Sequence, residues 1–273
     1  MFNPNEGYLK RKFLDVEKYK GVDIVFFGSS HSYRGFDTRI FKEYGITSFN
    51  LGSSAQTHIQ TEYLMERYLK DLNPKLVIYE VYPEMFSNEG VESTINIISA
   101  NENVDSEILD LLFQTRDIRA VNTFLFSFFE PRNPEIINSG NVEKDTYVPG
   151  GFVEKKLSYN TDTAVNRIWK PLPKQKAAFQ ENIQFLKDNN IPYLLVQAPY
   201  TFTYSNQDEI ENYISENGRY YDFNHLIDFS PQKDFYDESH LNQNGVKKFN
   251  NKLIKIIDSL EILKTNKLEQ LPY

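Results

Sequence analysis

Short apolar runs alternate with amphipathic stretches along the first third of the chain. Residues 22–27 (VDIVFF), 46–50 (ITSFN) and 75–82 (KLVIYEVY) are each followed closely by a glycine or a proline. Such runs are typical of strands buried on both faces of a parallel sheet. Between them, the apolar spacing predicts a short helix over 37–44 and a longer one over 57–72. This order, β-α-β-α-β, implies parallel strands joined by right-handed crossovers.

The same alternation returns in the last hundred residues. Residues 175–189 predict a helix with one apolar face, 193–197 (YLLVQ) a buried strand, 208–216 a helix and 226–229 a short strand. Apolar residues at spacings of three and four over 246–260 indicate a final helix. The pattern predicts an α/β fold, a three-layer doubly wound (flavodoxin-like) parallel sheet of about five strands with helices on both faces. Too few strands are visible for an eight-stranded barrel.

The segment at about 84–173 is less regular than either end of the chain. A helix is indicated near Asp105, and 148–151 (VPGG) and 171–173 (PLP) carry loop signals. We therefore expect a single domain over 1–273, with the segment at about 84–173 inserted as a cap or rim.

Composition narrows the chemistry that such a fold can carry. The chain has 273 residues, no cysteine, four histidines and a net charge of −8. The absence of cysteine excludes a thiol nucleophile, a disulfide scaffold and cysteine-based metal sites. An imidazole base must be one of the four histidines, which are His31, His58, His225 and His240. An acidic chain without a long basic run is not expected to bind nucleic acid.

Several other classes of protein are not predicted. The chain lacks the P-loop and dinucleotide-binding glycine patterns and the Gly-x-Ser-x-Gly elbow, and nothing in it predicts a metal or another cofactor. No apolar stretch approaches the roughly 18–20 residues of a membrane span. The first residues lack the apolar core of a signal peptide. We expect a soluble protein, and its compartment stays open.

Candidate chemistry lies at the ends of the predicted strands, which meet at one edge of a parallel sheet. Ser30 follows the first strand, Gly52 follows the second, and Asp237 and His240 precede the last helix. A hydroxyl nucleophile needs a base, a group that orients the base, and donors for the oxyanion. These residues could fill the four roles. A second Asp-x-x-His at 222–225 keeps the choice of base open.

Most of these residues also have a structural interpretation. A Gly-Ser-Ser turn after a strand is most often only a turn or a helix cap. His31 and Glu80 are candidates for contact with a substrate. However, His31 can equally be a surface residue, and Glu80 can form a buried polar pair with Tyr82. His58, at a predicted helix start, is more often a packing residue than a base.

Three blocks taken together resemble the SGNH/GDSL hydrolase superfamily. Residues 25–32 (VFFGSSHS) are similar to its strand and Gly-Asp-Ser, 49–52 (FNLG) to its oxyanion-hole glycine block, and 237–245 (DESHLNQNG) to its Asp-x-x-His before the last helix. The resemblance implies that Ser30 is the nucleophile. The His-Leu-Asn-x-x-Gly extension selects His240, rather than the histidine of the other Asp-x-x-His, as the base.

The chain departs from the family pattern at two places. Ser29 stands where the family has aspartate, and 80–83 (EVYP) replaces the block whose asparagine gives a third oxyanion donor. Loss of one such donor costs about 10²–10³ in rate, and Tyr82 is the candidate substitute. The pattern looks like the divergent branch that includes the D-alanyl transfer protein and alginate O-acetyltransferase-type proteins. That branch implies cell-envelope polymers, a location outside the cytoplasm and a membrane acyl-transfer partner.

We therefore expect a serine esterase or O-acyltransferase that acts through Ser30, His240 and Asp237. The substrate would be a small ester or an acylated, above all acetylated, carbohydrate or cell-envelope polymer. Ser30, Gly52 and Tyr82 would hold the oxyanion. The alternative is a non-catalytic carbohydrate-binding or scaffold protein on the same fold, which the missing asparagine motivates. The oligomeric state stays open.

Overall fold

The computed structural model describes residues 6–101, 106–127, 145–155 and 165–263. None of the helices in these ranges is long and apolar enough to cross a membrane. The helices are α1 (Glu6–Val16), α2 (Ser30–Gly35), α3 (Thr38–Glu43), α4 (His58–Leu72), α5 (Glu84–Ser87), α6 (Val91–Ala100), α7 (Ser106–Thr115), α8 (Ile118–Ser127), α9 (Pro173–Asp188), α10 (Gln207–Ser215), α11 (Phe223–Leu226), α12 (Pro231–Asp234) and α13 (Gln243–Ser259). The strands are β1 (Ile24–Phe27), β2 (Ser48–Asn50), β3 (Leu76–Glu80), β4 (Asp145–Val148), β5 (Phe152–Lys155), β6 (Asn166–Arg167), β7 (Tyr193–Gln197), β8 (Thr203–Tyr204) and β9 (Tyr220–Asp222).

A five-stranded sheet with the order β2-β1-β3-β7-β9 forms the centre of the fold, and all its pairings are parallel. Ile24 of β1 pairs with Ser48 on one side and Leu76 on the other. Every side chain of β1, β2 and β3 is buried, which is why these runs lack a polar alternation. The strand order reverses beside β1, as in flavodoxin-like sheets. This confirms the predicted fold class.

Apolar cores cover both faces of the sheet. Successive side chains of a strand point to opposite faces. In β1, Ile24 and Phe26 join one hydrophobic cluster, whereas Val25 and Phe27 join the other. Helices α3 and α13 contribute to the first cluster, and α1, α4, α6, α7, α9 and α10 contribute to the second. The layers are helix, sheet and helix, as predicted.

The fifth strand lies earlier in the chain than the sequence predicts. β9 pairs with β7 through residues 220–222, so the prediction of a strand over 226–229 is wrong. The Asp222 carboxylate accepts the N–H of Asn224 at 2.9 Å and caps α11, which turns the chain away from the sheet. Helix α1 is a further element that the apolar pattern does not predict.

The less regular middle of the chain contributes to the core and to two small strand pairs. Ile97 of α6 and Ile108 of α7 belong to the same cluster as α4. β4 and β5 form an antiparallel pair, whereas β6 pairs with β8, which follows β7. Part of the segment 84–173 lies outside the described residues, and its role as a cap stays a prediction.

Candidate active site

The turn after β1 sets the position of Ser30. Gly28 has a φ of +138°, which L-residues with side chains rarely adopt, and a Cβ there would lie 2.5 Å from Glu80 Oε2. Ser29 caps α2, because its hydroxyl accepts the backbone N–H of His31 at 3.3 Å. Ser30 is therefore the first residue of α2 and lies at the carboxyl end of β1.

The three side chains that the sequence assigns to catalysis lie in one hydrogen-bonded row. Ser30 Oγ is 2.7 Å from His240 Nε2. His240 Nδ1 is 3.0 Å from each carboxylate oxygen of Asp237. A neutral His240 that donates through Nδ1 presents the lone pair of Nε2 to the serine proton. The row has the arrangement of a nucleophile, a general base and a group that orients the base.

Asp237 is held as a carboxylate. Burial would raise the pKa of Asp237, but hydrogen bonds from the His240 ring and from the backbone N–H groups of Ser239 and His240 outweigh it. The pKa of Asp237 is therefore well below its ordinary value. The ionised side chain both fixes the direction of the His240 ring and favours the imidazolium form during proton transfer.

The residues after His240 fix the loop to the last helix. Asn242 caps α13: its Oδ1 accepts the N–H of Gly245 at 3.2 Å, and its amide donates to the carbonyl of Lys233 at 2.8 Å. A Cβ at Gly245 would lie only 2.2 Å from the carbonyl oxygen of Asp234. The His-Leu-Asn-x-x-Gly pattern thus has a structural role, because it positions the loop that carries the base.

Two aromatic rings flank the His240 imidazole. The Tyr236 ring stacks on it with centroids 5.4 Å apart and planes at 3°, and the His31 ring with centroids 4.8 Å apart and planes at 17°. Tyr82 packs against His31, with centroids 3.9 Å apart. This packing restricts the rotation of the His240 ring about its hydrogen bond to the serine.

The three predicted oxyanion donors differ in their surroundings. The N–H of Ser30 and the hydroxyl of Tyr82 have no acceptor among the described residues, and burial raises the pKa of Tyr82, so its hydroxyl keeps a proton to donate. The N–H of Gly52, however, donates to Asn50 Oδ1 at 2.9 Å. In this structure that bond occupies the Gly52 N–H, and the assignment of Gly52 as an oxyanion donor stays a prediction. Glycine is needed there for packing, since a Cβ would lie 2.7 Å from Ser32 Cβ.

His31 and Glu80 lie behind the turn that carries Ser30. Glu80 is fully buried, and its Oε2 accepts the backbone N–H of Ser29 at 2.9 Å and the Ser29 hydroxyl at 3.0 Å. His31 is 4 % exposed, and its Nδ1 lies 3.2 Å from Ser29 Oγ. Both side chains support the turn that carries Ser30. His31 also lines a small pocket with Ser239 and His240, and the assignment of His31 and Glu80 as substrate-binding residues stays a prediction.

The other two histidines make no contact with the predicted nucleophile. His58 is fully buried with its Nδ1 2.6 Å from the Tyr79 hydroxyl, and burial lowers the pKa of His58 to about 3. His225 is exposed, with its Nε2 3.6 Å from Glu211 and 3.8 Å from Asp222. Among the described residues, one group of side chains could hold a metal ion, and it consists of Glu211, Asp222 and His225. The Asp222 carboxylate, however, already caps α11.

An aromatic cluster beside the catalytic row consists of Tyr82, Tyr200 and Phe202. The rings of Tyr200 and Phe202 stack with centroids 4.4 Å apart, and that of Tyr82 lies 5.9 Å from Tyr200. The Arg167 guanidinium lies 3.8 Å from the Phe202 centroid and pairs with Glu238, the neighbour of Asp237. The sequence reasoning named Tyr82 but missed Arg167, Tyr200 and Phe202. The sequence feature that could have indicated them is a pair of aromatic residues two positions apart, Tyr200 and Phe202, soon after the strand predicted over 193–197.

Comparisons with known proteins give a distant structural likeness. No family model matches the chain, and no curated protein matches it. A solved structure from Bacteroides fragilis NCTC 9343, described as a "putative acylhydrolase", is similar over 91% of this chain and 94% of that chain. The sequence identity is 12% and the TM-score 0.44. A likeness this distant carries no argument about activity, so the function is argued from the residues of the chain itself.

Proposed function

We propose that the protein is a serine esterase or O-acyltransferase of the SGNH type. The observation that carries the proposal is the row in which Ser30 Oγ lies 2.7 Å from His240 Nε2 and His240 Nδ1 lies 3.0 Å from Asp237. Residues more than 200 positions apart in sequence supply this row. The resemblance of the three sequence blocks to the SGNH superfamily supports the same assignment.

The geometry suits attack of a serine on an ester carbonyl. Ser30 Oγ forms a bond to the carbonyl carbon while His240 Nε2 takes its proton, and Asp237 stabilises the imidazolium. The N–H of Ser30 and the hydroxyl of Tyr82 are the donors assigned to the oxyanion. His240 then protonates the departing alcohol, which leaves an acyl-serine. Attack by water completes hydrolysis, whereas attack by a sugar hydroxyl completes transfer.

The substrate class is proposed from the resemblance. The divergent branch that the sequence resembles favours acetyl groups on carbohydrate or cell-envelope polymers. Tyr200 and Phe202 are buried and stack on each other, and Arg167 covers the Phe202 ring, so these rings form a packed wall beside Tyr82. We assign the acyl group to Ser30.

Labelling with a fluorophosphonate tests the nucleophile directly. We expect the wild type and His225→Ala to be labelled, Ser30→Ala to remain unlabelled, and His240→Ala to react more slowly by about 10²-fold or more. His225→Ala is the matched control, since His225 belongs to the other Asp-x-x-His. Equal labelling of Ser30→Ala and wild type would refute the proposal. Turnover of aryl acetates, butyrates and octanoates then defines the acyl preference.

The competing function is a carbohydrate-binding protein without turnover. The hydrogen bond between the Gly52 N–H and Asn50 favours it, because that bond removes a donor that the family uses. This function predicts saturable binding of acetylated oligosaccharides, no fluorophosphonate labelling and no release of acetate. Release of acetate that Ser30→Ala abolishes would exclude it.

A further inference from the structure

A second hydrogen-bonded group lies directly behind the nucleophile, and the mechanism above does not use it. Glu80 Oε2 accepts both the backbone N–H and the hydroxyl of Ser29, at 2.9 and 3.0 Å. Ser29 Oγ lies 3.2 Å from Nδ1 of His31. The His31 ring in turn stacks on His240. A continuous line of contacts thus joins a buried carboxylate to the catalytic base.

Counting the available protons assigns the donors in this line. Burial raises the pKa of Glu80 to about 7, so above that pH Glu80 is a carboxylate and receives the one proton of the Ser29 hydroxyl. The contact between Ser29 Oγ and His31 is then a hydrogen bond only if His31 donates through Nδ1–H. In this tautomer the buried Nε2 of His31 carries no proton. A backbone hydrogen bond with Ser239 also acts on the His31 ring and raises its pKa, although burial outweighs it. The line therefore specifies one neutral tautomer of His31.

A neutral His31 suits its position beside the base. Burial and the positive charge that His240 acquires hold the pKa of His31 well below its ordinary value. The other charged groups that face it are Asp237 in the triad loop and Arg167 on β6. A charged His31 ring stacked on His240 would oppose the imidazolium that forms during catalysis.

We propose that Glu80 and His31 are positioning residues for the catalytic pair, a role that rests on the proposed function. Glu80 fixes Ser29, and with it the direction of the next residue, the nucleophile. Through the Ser29 hydroxyl, Glu80 also fixes the tautomer of His31, whose neutral ring holds one face of His240. Glu80, which is fully buried, does not touch the substrate.

This role also accounts for the serine that replaces the aspartate of the family pattern. An ionised aspartate at position 29 would place a second negative charge next to Glu80 and would bring no proton to share. Serine instead donates to Glu80 and accepts from His31 at the same oxygen. Gly28 completes the arrangement, because a side chain there would occupy the space of the Glu80 carboxylate.

Kinetics of Glu80→Ala, Glu80→Gln and His31→Phe test the role. Turnover is divided by the concentration of active sites, which fluorophosphonate titration measures. A variant that folds poorly therefore does not give a falsely low kcat. We expect at least a tenfold lower kcat with unchanged KM for Glu80→Ala. Glu80→Gln should keep most of the wild-type kcat, because its amide oxygen can accept the same two hydrogen bonds from Ser29. His31→Phe keeps a stacked ring but loses the bond to Ser29, and we expect an intermediate kcat.

If both Glu80 variants have the wild-type kcat per active site, the positioning role is overturned and Glu80 has only a structural role. His225→Ala serves again as the control and should match the wild type. A merely structural Glu80 would lower the yield of labelled protein without changing turnover per label.

A second measurement does not depend on activity or on variants that fold poorly. Long-range nitrogen–proton correlation spectra of the wild type report which ring nitrogen of each histidine carries the proton. Above pH 7, where Glu80 is ionised, we expect Nδ1–H for His31, and Nε2–H there would overturn the proposal whatever the activity. If His31 carries Nδ1–H but no labelling or turnover is found, the proposed function fails, and with it the positioning role.

Discussion

Replacement of Gly28 by alanine tests whether backbone geometry and close contact set the turn behind the nucleophile. An added Cβ would lie 2.5 Å from Glu80 Oε2 and 2.6 Å from Glu80 Cβ, at a φ of +138°. Glu80 cannot move aside easily, because it is fully buried and bonded to Ser29. The variant therefore combines a strained backbone with an overpacked interior.

The expected loss of stability is the sum of these two effects. A residue held in a sparsely populated backbone region costs about 1–3 kcal/mol. Overpacking of a well-packed interior costs about another 1–3 kcal/mol. Alanine also lowers the conformational entropy of the unfolded chain relative to glycine, which offsets about 0.4–1 kcal/mol of the loss of stability. A net loss of about 1–5 kcal/mol is large against the roughly 5–15 kcal/mol that stabilises most proteins.

Urea unfolding followed by circular dichroism measures this loss, with Gly21→Ala as the matched control. Gly21 also has a positive φ, +65°, but no atom lies within 4 Å of its built Cβ. The control therefore lacks the overpacking cost, and its loss should be smaller by about 1–3 kcal/mol. Equal losses in the two variants would refute the steric argument. The folded fraction of Gly28→Ala should also react more slowly with a fluorophosphonate, since Ser30 is displaced.

Three further predictions concern the base and its loop. Asp237→Asn should lower the labelling rate of the nucleophile by about 10²–10⁴; an unchanged rate would remove Asp237 from the mechanism. The pKa of His58 is about 3 in the folded protein against about 6.5 when unfolded. The unfolded state therefore binds the extra proton between these values, and stability should fall as pH drops from about 6.5 towards 3. His58→Phe should flatten this dependence in urea midpoints, and a slope equal to wild type would contradict it. Asn242→Ala should cost about 1–2 kcal/mol through loss of the α13 cap and should slow labelling. Asn244→Ala is its control, since that side chain makes only a 3.4 Å hydrogen bond to the Lys233 carbonyl; equal losses would argue against the cap.

The central strands can be predicted from the sequence, because strands buried on both faces appear as uninterrupted runs of apolar residues. Residues 24–27 and 76–80 carry no exposed side chain, so no polar alternation obscures them. The edge strand 220–222 is half-buried, short and polar, and its pairing with β7 decides its position. The apolar run at 226–229 is the stronger local signal, but the cap at Asp222 overrides it.

The candidate site is predictable only as far as residue type and strand-end position determine it. The sequence blocks point to Ser30, His240 and Asp237, and these side chains do lie in one row. Whether a backbone N–H is free to bind an oxyanion depends on the side chains near it. The N–H of Gly52, for example, already donates to the side chain of Asn50. Sequence spacing carries no information on such a contact.

The number of free oxyanion donors bears on the choice between an enzyme and a binding protein. The bonded N–H of Gly52 and the absent asparagine of the family pattern remove two donors, and each is worth about 10²–10³ in rate. Enzymes of ordinary efficiency accelerate reactions by about 10⁶–10¹⁷. Loss of both donors amounts to about 10⁴–10⁶ in rate, so a slow enzyme remains only where the starting acceleration exceeds that factor. The N–H of Ser30 and the hydroxyl of Tyr82 remain without acceptors among the described residues. A slow esterase thus accounts for both the intact row and the missing donors, whereas a binding protein leaves the row without a purpose.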